Sequence, residues 1–340
     1  MKLRCRVSHE SLLPHCRTQD AEVPREIPSQ GGNAVKNLSS SGKTSLIVLA
    51  ACFWIPSFVA EAATIRVDCP SASLQAAIEK SRARDTLLVS GTCSENVVVH
   101  EEVVGITLDG QGKATINALD PGKPAVRITG RGITVRGFTV TGGGNGIRVE
   151  RGGDALIDGN TVEKVGTFGI IVYTGFAVII NNTIQNNPQS GIAIAGASFA
   201  HIGFVTGGDK AASPNFIQNN GAAGIVVSRS SSARIVGNII RNNKRYGVEA
   251  TRVSQVDVAN NTIEGNGQDG IFVSRNSHVT VGSSLPGGKI FRIPNTTASN
   301  NGGVGIRCTR NSSADGRLGS LNGDKGAKAF DPSCVDDLES

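Results

Sequence analysis

Five arginines hold one position of a recurring unit. Counting five residues on from Gly146, Gly169, Gly191, Gly224, Gly247, Gly270 and Gly305 lands on Arg151, Thr174, Gly196, Arg229, Arg252, Arg275 and Arg310. A guanidinium is always charged and grips carboxylate or sulfate through a two-pronged fork, so such a column is chemistry for a linear polyanion. The spacing places Arg229, Arg252 and Arg275 on three consecutive units. If the units stack at the ~5 Å spacing of paired strands, neighbouring arginines repel by about 0.8 kcal/mol in bulk water. A bound polyanion relieves that repulsion. The bland alternative is a solvated edge, screened by salt and offset by Glu150, Glu249 or Asp269.

Two further outward rows flank the arginines. One runs Arg148, Ile171, Ala193, Val226, Glu249, Phe272 and Arg307; the other Glu150, Tyr173, Ala195, Ser228, Thr251, Ser274 and Thr309. Tyr173 and Phe272 have faces that stack on sugar rings, although ordinary surface packing accounts for such residues more often. For catalysis, the mixed cluster is Glu249 between Arg229 and Arg275, with Tyr246 nearby. A lyase or epimerase acting on uronates needs the substrate carboxylate neutralised and a base beside the acidic C–H, which those residue types supply.

The element that positions these residues is a repeat. Gly237-Asn238-Ile239-Ile240-Arg241-Asn242-Asn243 aligns with Asn260-Asn261-Thr262-Ile263-Glu264-Gly265-Asn266, a period of 23 residues, and the glycine intervals are 23, 22, 33, 23, 23 and 35. The two long intervals hold insertions at His201 to Pro214 and Gly282 to Pro294. Within each unit, runs such as Gly-Ile-Phe-Val-Ser alternate apolar with other residues between Gly, Asn and Ser, which is strand periodicity broken by turns. Asn and Gly accept left-handed backbone at low steric cost and turn the chain there. A fixed period near two dozen residues marks a solenoid. Stacking predicts an internal amide ladder of Asn187, Asn220, Asn243 and Asn266.

The run Asn261-Thr262-Ile263-Glu264-Gly265-Asn266-Gly267-Gln268-Asp269-Gly270-Ile271-Phe272-Val273 resembles the repeat of right-handed parallel β-helix proteins, the pectate-lyase-like superfamily. The resemblance covers roughly Thr64 to the C-terminus. It implies an all-β, right-handed parallel β-helix solenoid, and it leaves function open, because this scaffold carries lyases, hydrolases, epimerases, adhesins and non-catalytic modules. Hydrolases of the fold cluster aspartates, and alginate epimerases carry Asp-Pro-His. This chain has no Asp-Asp pair inside the coil, places Asp336-Asp337 in the tail, and offers only Asp120-Pro121 and Asp331-Pro332, without His.

Three segments follow. Residues 1–42 lack periodicity and read as a disordered extension, of which the first 34 are left untranslated if synthesis starts at Val35. Residues 43–62 read as a secretory signal: Lys43, an apolar core through Ile55, and the small-x-small end Ala60-Glu61-Ala62. A membrane anchor is the rival, against which stand Pro56 and a core below the ~20 residues needed to span a bilayer. Gly42-Lys43-Thr44 fails as a phosphate loop, since Asn37 stands where the motif wants Gly. Residues 63–340 form the β-helix domain. Ser73 to Lys80 has helical spacing, with Ser71 or Ser73 as cap, and is expected to plug the N-terminal end, since a solenoid must cover its first apolar layer.

Of seven cysteines, Cys69, Cys93, Cys308 and Cys334 remain after the leader. Four in an exported chain favour disulfides. Neighbours in sequence pair as Cys69–Cys93 and Cys308–Cys334, one at each end of the coil, each stabilising by ~3 kcal/mol on the loop-entropy model. A metal site has no Cys-x-x-Cys or His cluster behind it. Aromatics at 4% and 43 glycines suit a narrow coil filled by aliphatic side chains, and the net charge of +6 fits an acidic partner or plain solubility.

The reading is therefore a secreted or periplasmic β-helix protein that binds an acidic polysaccharide, with processing of it left open. No cofactor or metal is expected, no nucleic acid, and no membrane span after signal cleavage. The candidate residues are Glu249 and Tyr246 for catalysis, and Arg151, Arg229, Arg252, Arg275, Arg310, Tyr173 and Phe272 for binding. The alternatives are a polysaccharide lyase, epimerase or hydrolase, and a structural or assembly protein of the envelope that uses its insertions as the contact surface.

Overall fold

Strands of three to five residues, each facing an aliphatic interior, dominate the chain because its apolar residues alternate in short runs. The computed structural model describes residues 61–206, 209, 211–282, 300–317, 319–320 and 322–339. The expected extension, the signal segment up to residue 60 and the second insertion beyond Gly282 lie outside the described residues. No helix among the described residues is long and apolar enough to cross a membrane.

Ten strands form one parallel sheet: Val97–Val99, Val126–Ile128, Ile147–Glu150, Ile170–Tyr173, Ile192–Ala195, Ile225–Ser228, Val248–Thr251, Ile271–Ser274, Ile306–Thr309 and Lys328–Phe330. Its register follows the repeat, with Ile147, Ile170, Ile192, Ile225, Val248, Ile271 and Ile306 opposite one another in turn. The remaining strands make an eighteen-strand sheet of parallel ladders. Thr107–Ala118 and Ile133–Gly142 are long enough to take part in two of these ladders, which otherwise stack separately.

The recurring glycine is required by packing. At Gly247 a Cβ would meet the Ile263 side chain at 2.3 Å and the Gly270 carbonyl at 2.6 Å, both far inside van der Waals contact. The left-handed turns belong to the residues before it, such as Asn242 (φ 55°) and Asn260 (φ 52°).

The amide ladder exists and extends one rung further, from Asn187 through Asn220, Asn243 and Asn266 to Asn301, with Nδ2-to-Oδ1 distances of 2.9–3.1 Å. A second ladder, absent from the sequence reading, runs Asn160, Asn182, Asn215, Asn238 and Asn261. Each amide also donates to a backbone carbonyl, as Asn220 does to Ile184, so turns buried inside the coil keep their polar groups satisfied.

Helix α1, Leu74–Lys80, is capped by Ser73, whose hydroxyl accepts from the Ala76 amide. Glu95 also accepts from the Leu74 amide at 2.6 Å, a cap invisible to local sequence. Leu74 and Ile78 are fully buried in the same core as Val67, Leu87 and Val97, so the helix covers the first apolar layer as expected. Both disulfides form as paired in the sequence reading. Two expectations are corrected. Asp336 and Asp337 lie in the strand Val335–Glu339, which pairs with Ser313–Arg317, so they belong to the last turn of the coil. The first insertion begins after Ile202, because His201 is held in the strand Phe199–Ile202; beyond it Phe204 is buried against Val236 and Ala212.

Candidate functional site: a cationic cleft on the ten-strand sheet

The strands Val248–Thr251, Ile271–Ser274 and Ile306–Thr309, with the turns beside them, line a cleft of about 590 Å³. Alternation sends Val248 and Ala250 into the core and turns Glu249 outward, opposite Phe272 on the next strand. Tyr246, on the turn before, stacks on Phe272 with ring centroids 4.4 Å apart and planes at 6°, and the Arg245 guanidinium lies 5.0 Å from the Tyr246 ring. Thr251 and Ser274 share a hydroxyl hydrogen bond of 3.0 Å. Arg252, Arg275 and Arg310 border the cleft, and Asp331 stands at its C-terminal end.

Glu249 is the unusual group. It is half-buried, and among the described residues it makes no hydrogen bond and no ion pair. Burial pushes its carboxyl above the ordinary range, against the pull of Arg245, Arg275 and Arg252. The register places Glu249 between the rungs of Arg229 and Arg275, as the spacing implied; its charged neighbours include Arg275 but not Arg229, with Arg252 and Arg245 in addition. Arg245 was missed by that reading because it lies on the turn preceding the strand, outside the outward rows.

The arginine column is real, and it is longer than the three units the sequence marked. Arg229, Arg252, Arg275 and Arg310 occupy four consecutive rungs, joined by backbone hydrogen bonds of 3.0–3.1 Å from the amide after each arginine to the next arginine's carbonyl. Each sits in left-handed backbone, at φ 58°, 59°, 58° and 57°, and so does the residue that follows it. Left-handed geometry costs an ordinary L-residue roughly 1–2 kcal/mol, and Asn or Gly would relieve it. A serine ladder fastens these turns: the amides of Ser198, Ser231, Ser254 and Ser277 donate to the hydroxyls of Ser231, Ser254, Ser277 and Ser312. All four arginines are exposed, and none has an ion pair among the described residues. The column therefore combines left-handed backbone, stacked like charges and the absence of ion pairs.

The other candidates separate from this cleft. Arg151 has the same left-handed turn at φ 56°, but Thr174 and Gly196 stand between it and the column. Tyr173 lies toward the N-terminal end, with the Arg148 guanidinium 5.7 Å from its ring. The carboxylates expected to offset the column are engaged elsewhere: Glu150 with Arg127 and Arg148, and Asp269 with Arg307 at 2.9 Å. Burial works against Glu150, yet the hydrogen bonds from Arg148 and Arg127 more than compensate and hold it below the ordinary carboxylate range.

With this geometry in place, the comparisons assign the fold family. The model of the right handed beta helix region matches residues 86–215, 124–285 and 210–316, and the chain belongs to that family. A cell surface glycoprotein of Methanothermus fervidus is 30% identical over 105 residues, a stretch of 30% of this chain and 17% of that protein, so the chain spans about a sixth of the curated relative's length. Among solved structures it is similar to a variant of the periplasmic alginate epimerase AlgG (TM-score 0.48, 14% identity, 81% and 82% of the two chains). It is also similar to the A-module of an Azotobacter vinelandii mannuronan C-5 epimerase (0.45, 15%, 78% and 94%) and to an alginate lyase from Paenibacillus (0.39, 13%, 82% and 99%). None of these likenesses bears on the chemistry of the cleft.

Proposed function

We propose that the protein is exported and that its ten-strand sheet binds an acidic polysaccharide, with Glu249 and Tyr246 processing the chain in the cleft. The observation that carries this reading is Glu249: a half-buried carboxylate without a partner, raised in pKa by burial, at the foot of an unpaired arginine column. The two disulfides, Cys69–Cys93 and Cys308–Cys334, support an oxidising compartment.

The chemistry that suits these groups begins α to a uronate carboxylate. Arg252 and Arg275 pair with that carboxylate and draw charge toward it, which acidifies the adjacent C–H. Glu249 takes the proton, and the bonding electrons move into the carboxylate as an enediolate. Expulsion of the neighbouring glycosidic oxygen, protonated by the Tyr246 hydroxyl, gives an unsaturated sugar. Reprotonation of the same carbon by a water molecule on the opposite face, which Glu249 later reprotonates, gives the epimer instead. A raised pKa suits Glu249 as base, because a stronger base takes a weakly acidic proton more readily.

The second reading, a non-catalytic binding module, draws on Arg229, which continues the arginine column beyond the cleft lining. A glycan array followed by incubation with polyuronates distinguishes the two. The catalytic reading expects binding together with ultraviolet absorbance from unsaturated product or a change in uronate epimer ratio, abolished in Glu249→Gln while binding persists. Binding without either product supports the module. Failure to bind any polyuronate overturns both.

A further inference from the structure

The ten-strand sheet carries a second pocket on the same face, toward its N-terminal end, of about 560 Å³ and bordered by Gln75, His100, Lys123, Arg127, Arg148 and Glu150. Arg127 and Arg148 face each other on adjacent strands. Each gives its Nε to Glu150, at 2.6 Å to Oε1 and 2.5 Å to Oε2, and the Glu150 side chain is only 10% exposed. Both carboxylate oxygens are therefore used, while the terminal amino groups of the two guanidiniums have no hydrogen-bond partner among the described residues. Two cations share one anion, so the group keeps net positive charge with its forks already oriented.

The walls of this pocket are built rather than incidental. Asn96 ties down the loop at its rim: its Nδ2 donates to the carbonyls of Asp120 (3.1 Å), Lys123 (3.3 Å) and Pro124 (2.9 Å), and its Oδ1 accepts from the Asp120 amide at 2.9 Å. Gln75 of helix α1 accepts from the Val98 amide at 2.7 Å, which fixes the opposite side. A pre-oriented guanidinium pair loses little conformational entropy on meeting a carboxylate.

Between the two pockets the outward rows of the sheet carry no charge, and Arg229 stands on the turn beside the last strand of the gap. From the strand of Glu150 to the strand of Glu249 there are four rung spacings, or about 19 Å at the usual strand separation. The residues crossing that gap are Ile171, Ala193 and Val226 in one row and Tyr173, Ala195 and Ser228 in the next. A small, smooth floor with Tyr173 at one end suits the faces of sugar rings, with charge at the two ends and at Arg229 beside it.

We propose that the Arg127–Arg148 pocket is a second carboxylate-binding site that anchors a distant sugar of the same acidic glycan, so that one chain bridges this pocket and the Glu249 cleft. The inference rests on the reading of the cleft as a polyuronate site, and it adds a requirement that the cleft alone does not impose: affinity must depend on length in a step. Two linked contacts gain from effective concentration once the ligand spans the gap, and gain nothing before it does.

The experiment titrates a ladder of oligouronates of increasing length against the protein by calorimetry. The expected result is a fall in Kd of about 100-fold when the oligomer becomes long enough to span about 19 Å. Arg127→Gln with Arg148→Gln is expected to remove the step and one of the two binding events of the shortest oligomers, while their affinity for the Glu249 cleft stays unchanged, which also confirms that the variant keeps its cleft. A smooth length dependence in the unaltered protein, or a step that survives in the double variant, overturns the bridging site and leaves the cleft reading intact. No binding at any length overturns both.

Discussion

Two groups of arginines on one sheet face have been given opposite surroundings. At the N-terminal end, Arg127 and Arg148 share the nearly buried Glu150, with bonds of 2.6 and 2.5 Å. At the C-terminal end, four exposed arginines stand in a column with no ion pair among the described residues, and the nearby Glu249 is half-buried with no hydrogen bond or ion pair of its own. The same residue types thus build a half-neutralised, pre-oriented pair in one place and a cleft without ion pairs in the other. The difference teaches that charge count says little here; what matters is whether a carboxylate can reach both oxygens to its neighbours. Glu150 lies beside two arginines on its own and the adjacent strand, whereas Glu249 has Val226 and Phe272 as its strand neighbours.

The largest effect that sharpens this contrast is on binding. Changing Arg229, Arg252 and Arg275 together to Gln is expected to weaken polyuronate binding by roughly 1.5–3 kcal/mol for each charged hydrogen bond lost. The salt dependence of binding should flatten too, while the fold stays intact. Calorimetry at two ionic strengths checks it, and unchanged affinity would move the binding surface away from the column.

Next comes stability, where the two ends should differ in sign. Glu150→Ala leaves two partly buried guanidiniums without their anion and is expected to cost about 2–3 kcal/mol, below the usual figure for a fully buried pair because both arginines keep some solvent. Glu249→Ala removes a desolvated carboxylate that has no partner, so its unfolding free energy should be unchanged or higher. Urea denaturation of the two variants tests this, and equal losses would erase the contrast.

A smaller effect concerns backbone strain. Replacing Arg252 by Asn keeps the left-handed turn at lower steric cost and should stabilise the fold by roughly 0.5–1 kcal/mol while reducing glycan affinity. A variant that lost stability would show that the arginine side chain supports the turn.

The smallest effect is the pH dependence of folding. Glu150 is held below its ordinary value near 4.5, so its contribution is present above that value and is lost as pH falls through the lower folded value. Glu249 is raised, with burial the main cause, so the folded state binds the proton more readily than the unfolded chain. Stability therefore falls as pH rises from the ordinary value near 4.5 through the raised one, and stays at that lower level above it. Glu249→Gln should flatten this decline in denaturation series taken across the acid-to-neutral range, and an unaltered slope would mean that Glu249 titrates normally.

Much of the architecture was legible because it depends on periodicity. A stacked coil repeats every rung, so Gly224, Gly247 and Gly270 locate Arg229, Arg252 and Arg275 without further information. The Asn187 ladder was visible for the same reason. The second amide ladder and the serine ladder are equally periodic but lie outside the strand-opening glycine register; the spacing of Asn182, Asn215, Asn238 and Asn261 carries the signal of the former. Arg245 and the Arg127–Glu150–Arg148 group were harder. Arg245 lies on a turn beside the rows, and Arg127 belongs to an early, less regular strand whose unit the glycine count did not include.

The sequence by itself determined the parallel coil, its register, the capping helix, both disulfide pairs and the existence of an arginine column, since each follows from local pattern or from neighbours a fixed period apart. Only the tertiary structure decided which carboxylates meet which arginines, that Glu249 is left without a hydrogen bond or ion pair, and that Gln75 and the Asp120–Pro124 loop close a second pocket around Arg127 and Arg148. Those outcomes depend on where flexible side chains end and on which distant segments converge. A period sets the positions of backbone atoms, and it leaves the reach of the charged ends to packing.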